Sequence, residues 1–237
     1  MDQKILDNVT ANPEPSWNGL YKAGGICAIL YVLFALLVPF FMFIDNTELS
    51  HMVLGSEILN LITENGIGWW VLLQTFVLGS SFFAIIAFVA LYVALKDIDK
   101  VKGLIGSATA VVIHILFIAY FPVMLALGFL AKAYPDAAEG QRQSFESAAE
   151  ALLAINNAFN PLYESVFAVS ILILSLAMLK GVFDRWVAYL GILTCIAACV
   201  ALALFPLISI GYFWWWLFFM IWFVAVGLKL YKIGRVK

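Results

Sequence analysis

The sequence predicts an all-α polytopic membrane protein with six transmembrane helices and two amphipathic helices on the outer face. Three observations predict it. The chain is 65% hydrophobic and only 12% charged, where a soluble globular domain carries about 25% charged residues. Six apolar runs each approach the roughly 20 residues that a helix needs to cross a hydrocarbon core of about 30 Å. The basic residues between those runs fall almost wholly on one side.

The elements follow in order. Residues 1–18 are polar, hold Pro13 and Pro15, and predict a cytoplasmic tail ahead of a single six-helix domain over 19–237. The first span covers 24–44. The stretch DNTELSHMVLGSEILNLITENG comes next and is too polar to span. Its Leu49, Met52, Val53, Leu59 and Ile62 approximate helical spacing, and Asn65-Gly66 is a stop signal, so it predicts an amphipathic helix lying on the outer surface. Trp69 and Trp70 mark the interface at which the second span begins, running to Leu95. A charged turn, 96–103, leads into the third span, 104–130, with His114 near mid-depth. Asp136 and Glu139 resemble a capping box for a second outer helix over 137–156, which feeds directly into the fourth span. GVFDR turns the chain into the fifth span, 186–208, and the sixth covers 211–230.

Orientation comes from the basic residues. With the amino terminus inside, Lys4, Lys22, Lys96, Lys100, Lys102, Lys180, Arg185, Lys229, Lys232, Arg235 and Lys237 all fall in cytoplasmic segments, and only Lys132 and Arg142 fall outside. That bias puts both termini in the cytoplasm and the protein in the cell's inner (cytoplasmic) membrane. Membrane lipid is then the expected surrounding partner. A net charge of -2 with no basic stripe excludes a nucleic-acid partner. Cys27, Cys195 and Cys199 all lie in apolar runs, so no disulfide framework is implied.

The polar residues that stand out lie on the approach to the fourth span. Asn156, Asn160 and Glu164 recur at i, i+4, i+8 and so share one helix face, with Asn157 and Tyr163 beside them. Pro161 predicts an interruption there, because it lacks an N–H and clashes with the preceding turn. Glu164 lies about 24 Å from Lys180 along a helix, at 1.5 Å per residue. A carboxylate at that depth faces protein or water rather than lipid. Two readings stand: an outward polar pocket with Glu164 as its anchor, or the wet start of an interfacial helix. His114 invites a proton relay, but a neutral histidine bonded to a neighbouring helix is the simpler reading. Cys195 and Cys199, at i, i+4, could join His114 around a soft metal. Their small neighbours Thr194, Ala197 and Ala198 fit close helix packing better, so no metal or other cofactor is expected. His51 is predicted in the outer loop, too far from His114 to share a haem with it. Gly79, Ser80, Ser81, Gly103, Gly106, Ser107 and Ala110 supply small surfaces for a close bundle rather than a wide channel.

One resemblance is carried by specific residues. Gly181, Phe183, Arg185, Trp186, Leu190, Gly191 and Leu193, with Tyr21, Lys22, Ala23 and Gly24 in the first span, are similar to the pattern of a widespread prokaryotic six-span family known only as a domain of unknown function. Asp184 stands where that pattern commonly has proline. The resemblance implies the six-span fold and hands over no activity.

Three functions fit the sequence. The first is a protein with an outward-facing polar cavity that binds or transports a small or amphipathic ligand through Glu164, Asn160, Asn157, Asn156, His114 and Tyr163. The second is an accessory or scaffold subunit bound to a partner membrane protein. The third is a lipid-modifying enzyme, for which the chain offers no nucleophile-and-base set and hence no catalytic residue to name.

Overall fold

The computed structural model describes residues 15–44, 54–204 and 210–235, so the predicted roles of Leu49, His51, Met52 and Val53 lie outside the described residues. A single 3₁₀ turn, Pro15–Trp17, precedes seven α-helices: α1 (Asn18–Ile44), α2 (Gly55–Asn65), α3 (Ile67–Leu95), α4 (Lys100–Ala133), α5 (Glu139–Met178), α6 (Arg185–Leu204) and α7 (Ile210–Ile233). No strand occurs among the described residues. All of these helices except α2 are long and apolar enough to cross a membrane. The chain is a multi-pass, all-α membrane protein.

Two expectations change. The helix does not break at Pro161: α5 runs for 40 residues with that proline inside it. Proline removes one backbone donor, but the ring can be accommodated where the flanking turns keep their own bonds. The expected outer helix and the fourth span are therefore one rod. The capping box is also absent. Asp136 sits in a turn and α5 starts at Glu139, where the carbonyl of Ala138 takes the first N–H groups, from Gln141 and Arg142.

The chain forms two compact units. The first comprises the described parts of Met1–Val32, Ser81–Ile115 and Tyr163–Lys237, and the second those of Leu33–Ser80 and Leu116–Leu162.

In the first unit, helices meet where side chains are missing. A Cβ on Gly24 would lie 2.2 Å from that of Ala90 in α3, and one on Gly25 would lie 2.6 Å from the carbonyl oxygen of Gly227 in α7. Successive glycines thus let α1 touch α3 on one side and α7 on the other, the close approach that small residues allow in lipid. Gly106 admits Leu174 of α5 in the same way. A polar clamp holds the turn before α4. Asp99 caps that helix by accepting from the Lys102 N–H at 3.2 Å, and its other oxygen accepts from Lys102 Nζ at 2.6 Å and Lys180 Nζ at 2.8 Å. These bonds hold the Asp99 carboxyl well below its usual range and push Lys180 up.

The second unit is organised by α2. Ile58, Leu59 and Ile62 are buried with Trp70, Leu73, Leu127, Ala131, Ala149 and Leu153. The first N–H of α2 has no side-chain cap of its own, and Gly55 N instead donates to Glu150 Oε1 at 3.3 Å. The helix stops where Asn65-Gly66 predicts, because Gly66 adopts φ 84°, a conformation that favours glycine. Trp70 Nε1 donates to the Met124 carbonyl at 2.8 Å, reaching it over the bare face of Gly128. Tyr134 donates to Glu146 Oε1 at 2.5 Å, which pushes the Tyr134 hydroxyl up.

Candidate functional site

The residues singled out in the sequence fall into two groups, one in each unit.

The first unit holds His114, Tyr163 and Glu164. His114, on α4, is fully buried. Its Nδ1 lies 2.7 Å from the Ala110 carbonyl oxygen, one turn back on the same helix. A carbonyl can only accept, so Nδ1 carries the hydrogen. In the neutral ring Nε2 then accepts, and the Tyr163 hydroxyl, 3.2 Å away on α5, donates to it. Both ring nitrogens are satisfied in that tautomer.

Aromatic rings wall this pair in. Ring centroids of Phe167, Tyr163, Phe88 and Tyr31 lie 5.0, 5.6, 5.8 and 6.3 Å from that of His114. Phe219 and Phe223 of α7 close against Tyr31 at 5.5 and 5.0 Å. Glu164 follows Tyr163 in α5 and is only 5% exposed. No other Asp or Glu is buried among the described residues. Lipid-facing exposure of this carboxylate, which would have ended its candidacy, does not occur.

The second unit holds the asparagines. Asn156 Oδ1 accepts from Tyr120 Oη of α4 at 3.3 Å and from Asn160 Nδ2 at 3.3 Å. Asn156 Nδ2 donates to Asn157 Oδ1 at 3.4 Å. The i, i+4 spacing therefore does place Asn156 and Asn160 on one face. Their surroundings differ from those of His114: Asn156 and Asn160 are half-buried and Asn157 is exposed. Tyr120 stacks on Phe159 at 4.7 Å.

Two cavities are described, and neither is lined by these residues. One of about 280 Å³ is apolar, formed by Val32, Met220, Ile221 and Val224. The other, about 170 Å³, is formed by Ile62, Thr63, Ile67, Ala131, Lys132 and Pro135. Cys195 is buried and Cys199 exposed, and among the described residues no group of three or more His, Cys, Asp or Glu could hold a metal ion.

Sequence reasoning did not find Tyr31, Tyr120 or the aromatic wall. Each lies in an apolar run where an aromatic residue is unremarkable, and only packing between distant helices brings them to a polar partner. No protein family, curated protein or solved structure matches this chain.

Proposed function

We propose that this protein binds or transports a small or amphipathic ligand in the inner membrane, with Glu164 as the ionisable anchor. The observation that carries the reading is the burial of Glu164, the one acidic side chain enclosed among the described residues. Placing a carboxylate inside a membrane helix is expensive, and such groups mark ligand or ion pathways. In this reading both termini are cytoplasmic, as the bias of basic residues predicts. His114 and Tyr163 are the other sequence-predicted site residues buried in the same unit as Glu164. Membership of the uncharacterised six-span prokaryotic family belongs to the same proposal, through Gly181, Arg185, Trp186 and Gly191.

The test uses the purified full chain in detergent, with sodium and the lipophilic cation tetraphenylphosphonium as probes. The two probes offer the buried carboxylate a small hard cation and a bulky lipophilic one. At a hundredfold excess over its Kd a ligand stabilises the fold by about 2.7 kcal/mol, which raises the unfolding midpoint by several degrees. Glu164→Gln is expected to keep the unliganded fold and lose that rise. If Glu164→Gln alters neither binding nor uptake into proteoliposomes, the reading fails.

A further inference from the structure

The His114 box is polar at its centre and closely walled by aromatic rings. His114 is fully buried, its neighbours are in ring-to-ring contact, and neither described cavity reaches it. A sodium ion or an organic cation could enter only by displacing side chains. A proton needs no volume.

We infer that His114 and Tyr163 form a proton-binding switch, so that the ion taken up at this site is H⁺. The inference rests on the binding-or-transport reading and names its ion. In the neutral state Tyr163 donates to Nε2. When Nε2 gains a proton, the ring carries hydrogens on both nitrogens and can only donate. Nδ1–H keeps Ala110 as its acceptor. Nε2–H now needs one, and the Tyr163 oxygen is the atom in place. The Tyr163 hydrogen must then turn away from the ring. One proton is added, no covalent bond between heavy atoms changes, and the Tyr163–His114 hydrogen bond reverses direction.

The titratable groups that face the ring are few. Among the described residues, Tyr31 does so from α1 and Tyr163 from α5, while α3 presents Phe88, α5 adds Phe167, and α7 presents Phe219 and Phe223 behind Tyr31. Glu164 is the buried acid next in α5. A charged ring in a box without exposed surface is costly. Taking up a proton and loosening the aromatic wall are therefore one event, and Trp215, whose ring lies 6.3 Å from Phe167, is placed to report it.

Only two histidines occur in the chain, so in a His51→Gln background every imidazole signal belongs to His114. The experiment is ¹⁵N-histidine NMR of that full chain in lipid across pH, with tryptophan fluorescence alongside. At neutral pH the spectrum is expected to show one tautomer, with hydrogen on Nδ1. Acidification is expected to convert it to the doubly protonated form together with a fluorescence change. Tyr163→Phe keeps the ring and removes the hydroxyl, and moves the midpoint by about one pH unit, the worth of one hydrogen bond to a charged group. His114 staying neutral throughout the pH range in which the protein is folded overturns the switch. So does a titration that Tyr163→Phe leaves unmoved. If the switch fails while tetraphenylphosphonium still stabilises the protein through Glu164, the binding reading stands alone; if both signals are absent, both fall.

Discussion

In the first unit His114 and Tyr163 sit inside an aromatic box, while in the second the asparagines line a half-buried helix face. His114, Tyr163 and Glu164 are at most 8% exposed, whereas Asn156 and Asn160 are half-buried and Asn157 is exposed. Both groups are hydrogen-bonded, so satisfaction does not separate them. What separates them is the alternative on offer to each atom. An asparagine that loses its partner beside water finds another donor. An imidazole nitrogen that loses its partner inside the box is surrounded by rings. The same kind of bond is therefore replaceable in one unit and obligatory in the other.

The widest gap is expected from truncating one residue of each group. His114→Ala removes a fully buried ring from contact with four aromatic neighbours and takes away the Nε2 acceptor of the Tyr163 hydroxyl. By the scale of large-to-small core substitutions it costs roughly 3–5 kcal/mol. Asn156→Ala deletes hydrogen bonds to Tyr120 and Asn160 at a half-buried position, and costs about 0.5–1.5 kcal/mol. Unfolding of each variant in the same detergent, followed by tryptophan fluorescence, gives the two numbers. Equal costs would break the comparison and remove the distinction between a closed and an open polar group.

The two groups also differed in how well they could be read from sequence. Asn156 and Asn160 are bonded to each other at a spacing of four, a contact that helix geometry alone dictates. His114 and Tyr163 are 49 positions apart, and their meeting depends on how α4 packs on α5. The glycines did mark such packing in outline. Gly106 lies against Leu174 of α5, but no spacing rule converts that into a partner for a histidine two turns away. The spans themselves were plain, because a run of apolar residues long enough to cross lipid has few other fates. The end of α2 was plain too, since Gly66 is needed for its backbone. Pro161 and Asp136 misled for one reason: each is a local preference, and a 40-residue rod held along its length by other contacts does not have to obey it.

The smallest effect sharpens the same point, because it concerns a charged group of the first unit that lies outside the box. Asp99 accepts from three donors, more than His114 has partners, yet Lys180 and Lys102 are both solvent-accessible. If the number of bonds set the cost, Asp99→Asn would exceed His114→Ala. If enclosure sets it, Asp99→Asn lowers the unfolding midpoint by no more than a few degrees, since exposed ion pairs contribute little. The pH dependence carries a definite sign. The folded-state pKa of Asp99 lies below its ordinary 3.8, so its contribution is fully present above that value and is lost as pH falls below it. The difference between wild type and Asp99→Asn is therefore expected to be constant from neutral pH down to about 4 and to shrink in stronger acid. Added salt should shrink it at neutral pH as well, by screening the two lysines. A loss as large as that of His114→Ala, insensitive to salt, would mean that the clamp on α4 is as closed as the aromatic box.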